Sequence, residues 1–134
     1  MQTRQQRMLR KAIDDVSKVR DKAKDIQKAY GGLCHKLPVL IRTCGLCQAI
    51  AFVESKQKDP HKLILAHAKG QLVAQNVIAN DNTSLTSHIV GLSVDKYTLA
   101  TRILLEALVY YKRLAESILG VKQGEGEEGV ETND

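Results

Sequence analysis

Aromatic residues and proline are scarce in this sequence, and long apolar runs are missing. Its 134 residues include no tryptophan, one phenylalanine and two prolines. Strands are enriched in aromatic and β-branched residues, whereas the abundant alanine, leucine, lysine and glutamine favour helices, so the composition predicts an all-α protein. No apolar stretch reaches the roughly 18 residues of a membrane-spanning helix, and the basic, polar N-terminus does not resemble a secretory signal. We expect no contact with membranes.

Cysteine is also rare, and the three cysteines cannot all pair with one another. They stand among apolar residues, which favours a reducing compartment, and we expect a cytoplasmic protein. Cys44 and Cys47 flank Gly45 in a spacing that redox pairs and zinc sites share. A redox pair needs a strand before a helix N-terminus, because the helix dipole lowers the thiol pKa, and no such pattern is present. We expect Cys44 and Cys47 to be small buried residues. The alternative is a zinc site in which Cys34 and His35 supply the other two ligands.

Apolar spacing and turn signals predict a compact bundle of about four to six helices. The first helix is long and basic and ends at Gly31 and Gly32. The second includes Gly45 and is apolar on nearly all sides, as is typical of a buried central helix. His67 lies on the apolar face of the third helix, where we expect a hydrogen-bonded core residue. The predicted helices span residues 2–29, 37–55, 59–80, 85–90 and 94–119.

Charge divides the chain into a basic body and an acidic tail. Residues 1–119, the predicted single domain, carry 19 bases against 10 acids. Residues 120–134 hold five acids and one base and are rich in glycine, so we expect this tail to be disordered. The basic body favours an anionic partner such as nucleic acid, although a solvated helix surface has the same composition. If the tail masks the basic body, its deletion would tighten the binding of nucleic acid.

No group of residues has the pattern of a catalytic site. Gly31 and Gly32 do not follow a strand as a phosphate-binding loop would, and the histidines lack partners at known ligand spacings. The single phenylalanine, Phe52, is expected in the core, so no aromatic platform for bases is predicted. We therefore expect a protein that is not an enzyme and that binds nucleic acid through its phosphates.

Two segments carry a family resemblance. Residues 37–52 read LPxLIxxxGLxQAxAF, and residues 97–108 read YxxATRxxLEAL, followed by KRLAE at residues 112–116. Together they resemble the small all-helical subunit of the Cmr complex, the type III-B CRISPR RNA-guided effector. The resemblance covers about residues 3–119 and leaves out the acidic tail.

The resemblance implies a non-catalytic structural subunit, without a cofactor or a required metal, in antiviral RNA-guided interference. In this family, copies of the subunit stack into a filament beside the backbone subunits that hold the guide RNA. The filament contacts the large Palm-domain subunit and lines the groove for guide RNA and target RNA. Base pairing reads the sequence, so the protein itself would contact the RNA backbone. Two alternatives stay open: a small zinc- or redox-binding protein, and a helical adaptor that binds only protein.

Six basic residues are candidates for contacting RNA. Arg42 comes first, because it is the charged residue of an otherwise apolar helix. Its alternative role is a structural ion pair with a carboxylate such as Glu106. The resemblance adds three residues of the last helix, and the basic first helix adds two. The six candidates are Arg42, Arg102, Lys112, Arg113, Arg20 and Lys24.

Overall fold

The computed structural model describes residues 1–125, and within them every regular element is an α-helix. The all-α prediction is confirmed, and so is the expected number of helices. The elements in chain order are α1 (Arg4–Val19), α2 (Lys24–Cys44), α3 (Leu46–Lys56), α4 (Asp59–Ala74), α5 (Leu85–Val90) and α6 (Val94–Ser117).

The single long helix predicted over residues 2–29 is wrong, because the chain turns between α1 and α2. Ala23 is extended and precedes α2 without a side-chain cap, so the sequence carries no start signal there. The buried Gln27 side chain stabilises the turn instead. Its Nε2 donates to the carbonyl oxygens of Arg20 and Lys22 at 3.0 and 2.8 Å. These bonds satisfy backbone acceptors that a continuous helix would have satisfied itself.

Gly31 and Gly32 do not end a helix but lie inside α2. Gly31 faces Val121, and a Cβ atom added at Gly31 would lie 2.5 Å from the Val121 Cβ atom. Val121 is 4% exposed. The glycine is therefore required by the close approach of the chain that follows α6, and packing extends past the boundary expected at residue 119. The rest of the predicted tail, residues 126–134, lies outside the described residues.

A second break separates α2 from α3, where one helix over residues 37–55 was predicted. Gly45 stands between them with φ 88° and ψ 161°, a backbone conformation open almost only to glycine. The prediction of a single buried central helix is therefore wrong. Its apolar residues are divided between α2 and α3, and the fully or nearly buried ones include Leu37, Ile41, Leu46 and Ile50.

α4 begins at Asp59 with Pro60 in its first turn, as predicted, but it ends at Ala74 rather than near residue 80. Its buried face is rotated from the face predicted through His67. Ile64, Ala68 and Leu72 are buried, whereas Ala74 is exposed. Alanine and leucine occur on several sides of this helix, so the apolar spacing did not identify the side that packs.

The last two helices agree best with the sequence. α5 has its predicted bounds, and α6 begins where predicted, because each follows a serine that caps it. The Ser84 hydroxyl accepts the Ser87 N–H, and the Ser93 hydroxyl accepts the Lys96 N–H. Such caps satisfy N–H groups of the first turn that have no partner within the helix.

α2 lies at the centre of the bundle and packs against α3, α4 and α6, while α1 packs against α4 and α6. α2 and α6 run antiparallel. At one end the Tyr97 hydroxyl accepts the Cys47 N–H at 3.0 Å, and at the other end Val121 packs on Gly31. Among residues 1–125, no helix is both long and apolar enough to cross a membrane.

Candidate nucleic-acid interface

Arg42 of α2 and Lys112 of α6 line one small cavity where these two helices pack together. The cavity has a volume of about 50 Å³, and Val39, Val109 and Gln123 also line it. Arg42 is exposed and Lys112 is half-buried. Two cations that line one cavity of a basic protein attract anions such as backbone phosphates. The antiparallel packing of α2 and α6 creates this pair from residues that are far apart in the sequence.

Glu106 does not pair with Arg42, so this alternative role of Arg42 is not observed. The Glu106 Oε2 atom accepts from Arg4 Nη2 at 2.8 Å, which ties the start of α1 to α6. In the part of the chain that the structure describes, Arg42 has no ion-pair partner. Its guanidinium group is therefore not engaged by a carboxylate of residues 1–125.

The other four candidates lie elsewhere. Arg102 and Arg113 are exposed on α6, and Arg20 is exposed in the turn after α1. Lys24 is the first residue of α2 and is exposed. It lies at the opposite end of α2 from Arg42, about 27 Å along the axis at 1.5 Å per residue. Of the six candidates, Arg42 and Lys112 are the two that line a common cavity.

A second basic cluster surrounds Phe52, which the sequence placed in the core. Phe52 is half-buried, and Lys36 Nζ and Lys56 Nζ lie 5.5 and 4.9 Å from its ring centroid. Such contacts hold two ammonium groups over one ring despite their mutual repulsion. His61 lies close to this cluster: burial lowers its pKa first, and Lys58, Lys56 and Lys36 lower it further. Sequence reasoning missed the cluster because Lys36 comes from another helix; only the spacing of Phe52 and Lys56 signalled a contact.

Cys44 and Cys47 are exposed, so the expectation that they are buried is wrong. They flank the break at Gly45, and a helix that ends between them does not carry both into the core. Cys34 is buried, and burial raises the pKa of its thiol to about 12, so the thiol stays protonated at neutral pH. Within residues 1–125, no group of three or more histidine, cysteine or carboxylate side chains could hold a metal ion. Cys34 and His35 therefore do not complete a zinc site with the exposed pair.

Replacing Cys44 or Cys47 with serine is expected to change the free energy of unfolding by less than about 0.5 kcal/mol, as at other exposed positions. Urea denaturation of each single variant measures the change. A loss of more than about 2 kcal/mol in either variant would contradict the exposed positions of the two thiols and indicate burial instead.

A polar network joins four helices at the centre of the bundle. Asp15 Oδ2 accepts from the Tyr111 hydroxyl at 2.6 Å and from Lys11 Nζ at 2.8 Å. The Tyr30 hydroxyl and His67 Nδ1 are hydrogen-bonded at 2.7 Å, so His67 has the partner expected of it. Burial raises the pKa of both tyrosines and lowers that of His67, although the Asp15 charge opposes the shift of His67. These groups are thus held neutral around one carboxylate, and they tie α1, α2, α4 and α6 together.

The chain matches the model of the family described as CRISPR-associated protein (Cas_Cmr5) over residues 4–118. It is 36% identical over 120 residues to the CRISPR system Cmr subunit Cmr5 of Thermus thermophilus, a match that covers 89% of this chain and 98% of that protein. Its fold is similar to the crystal structure of a CRISPR-associated Cmr5 family protein from the same organism. The TM-score is 0.72 and the identity 28%, over 87% of this chain and 97% of the other. The resemblance seen in the sequence is confirmed, and the chain belongs to the Cmr5 family of CRISPR-associated proteins.

Proposed function

We propose that this protein is a non-catalytic structural subunit of a Cmr-type, type III-B CRISPR effector and that it contacts the RNA backbone there. The observation that carries the RNA contact is the cavity that Arg42 and Lys112 both line, on a chain of the Cmr5 family. Copies of the subunit would stack into a filament beside the backbone subunits and the large Palm-domain subunit. Arg42 and Lys112 would then face the groove that holds guide RNA and target RNA.

The chemistry of the surface supports contacts to phosphates rather than to bases. Direct stacking of bases needs free aromatic faces, and the ring of the single phenylalanine, Phe52, is already contacted by Lys36 and Lys56. Contacts of lysine and arginine to phosphates depend on charge and carry no sequence information. Binding of this kind suits an effector in which the guide RNA supplies the specificity.

An apolar strip on α1 supports contacts with other subunits. Leu9 and Ile13 are 37% and 40% exposed and lie four residues apart, on one side of the helix. The inner side is formed instead by Met8, Ala12 and Val16, which are fully buried. An exposed pair of large apolar side chains beside charged neighbours suits a protein interface. We propose that this strip packs against a second copy or a neighbouring subunit.

Replacing Arg42 and Lys112 together with alanine is expected to weaken RNA binding by the reconstituted effector about 5- to 30-fold at low salt, if each lost phosphate contact contributes about 0.5–1 kcal/mol. The slope of log affinity against log salt concentration should fall by about 1–2, because two counterion-releasing contacts are removed. The effector is reconstituted with the unmodified subunit or with the double variant. Filter binding over a salt series then measures the affinity and the slope.

The matched control replaces Lys62 and Lys96, which are exposed on α4 and α6, and removes the same number of charges. It should leave affinity and slope close to those of the unmodified protein. Equal losses in the two double variants would mean that net charge alone matters and that Arg42 and Lys112 form no site. Unchanged RNA retention in the Arg42 and Lys112 variant, within a complex that survives high salt, would favour an adaptor that binds only protein.

A further inference from the structure

The chain that leaves α6 is fixed to α2 before its acidic residues begin. Gly120 has φ 72°, and the Val121 N–H donates to the Ala115 carbonyl oxygen at 3.0 Å, which reverses the chain at the helix end. Val121 is buried against Gly31, and its carbonyl oxygen accepts from the buried His35 Nε2 at 3.0 Å. These contacts set the direction in which the following residues start.

That direction leads to the basic residues of α2 and α6. Gln123 lines the same cavity as Arg42 and Lys112, so the chain already lies beside this pair before the first tail acid, Glu125. We define the α2 basic surface as Arg42 of α2 together with Lys112 of α6, which both line this cavity.

We propose that residues 125–134 bind the α2 basic surface of their own chain and compete there with anionic ligands. The charges are complementary, because these ten residues contain five acids and no base. An attached segment acts at an effective concentration of about 1 mM or more, so ion pairs too weak to bind a free peptide suffice to hold it. The contact is electrostatic and exposed, so salt releases it. A ligand with regularly spaced phosphates displaces it.

Carbodiimide cross-linking of the full chain tests the contact without any RNA. At low salt we expect links from the carboxylates of residues 125–134 to Lys112, the lysine of this surface, and a strong decrease of these links at high salt. Links mainly to lysines outside the surface, such as Lys18 or Lys96, would overturn the proposal. Mixing isotopically labelled and unlabelled chains shows whether the links join two molecules, which would overturn it as well.

Competition is tested with a short polyuridine RNA and a variant in which the five acids are neutralised, Glu125→Gln, Glu127→Gln, Glu128→Gln, Glu131→Gln and Asp134→Asn. Glu125 is exposed, and circular dichroism checks that the variant retains the fold. We expect affinity to rise about 3- to 10-fold at low salt and the difference to vanish at high salt. Unchanged affinity overturns the competition. The competition rests on the proposed RNA contact, whereas the cross-links do not. If neither protein binds the RNA, the competition is overturned, the salt series on the reconstituted effector decides the proposed function, and the cross-links decide the tail contact.

Discussion

Replacing Asp15 with alanine should lower the free energy of unfolding by about 2–4 kcal/mol, because it removes a carboxylate that two buried or half-buried donors share. Without Asp15, the hydroxyl of Tyr111 loses its acceptor, although Tyr111 is only 1% exposed. Lys11 loses its ion pair on the same helix. The residual bond from Gln71 Nε2 to the Tyr111 hydroxyl at 3.1 Å does not replace an acceptor. Urea denaturation followed by circular dichroism measures the loss.

The neighbouring Asp14 provides the matched control. It is exposed on the same helix, so Asp14→Ala should change stability by less than about 0.5 kcal/mol. Tyr111→Phe removes the hydroxyl group that donates to Asp15. It should lower the free energy of unfolding by about 1–2 kcal/mol, less than Asp15→Ala, because no charged group is deleted. Equal small effects of Asp14→Ala and Asp15→Ala would show that the central network does not hold the four helices together.

Replacing Gly45 with alanine should lower the free energy of unfolding by about 1–3 kcal/mol, although there is room for the added methyl group. The atom closest to an added Cβ is the Tyr97 hydroxyl oxygen at 3.9 Å, an ordinary contact distance. The cost arises from the backbone instead, because alanine has to adopt φ 88° and ψ 161° between α2 and α3. Thermal and urea denaturation measure it.

Gly91 is the matched control for this prediction. Its φ of −86° is open to any residue, and an added Cβ would lie 3.7 Å from the nearest atoms. Gly91→Ala should therefore be neutral or stabilise the fold by about 0.4–1 kcal/mol, through a smaller entropy of the unfolded chain. If Gly45→Ala were as harmless as Gly91→Ala, the glycine-specific backbone conformation between α2 and α3 would be contradicted.

The candidate site was only partly predictable. Arg42 and Lys112 were each named from the sequence, one for its apolar surroundings and the other through the family resemblance. Their common cavity, however, follows from the antiparallel packing of α2 and α6. The cluster of Lys36, Phe52 and Lys56 was missed entirely, because periodicity assigns a phenylalanine to the core without showing which lysines approach its ring.

The sequence by itself determined what depends on neighbouring residues. Helical composition established the fold class, serine caps established where α5 and α6 begin, and two motifs established the family. The tertiary structure decided what depends on distant residues: the turn held by Gln27, the approach of Val121 to Gly31, the exposure of the cysteines beside Gly45. A cap is formed within one turn of helix, so it can be recognised from neighbouring residues. A glycine that ends a helix and one that admits a neighbouring chain look alike until the neighbour is in place.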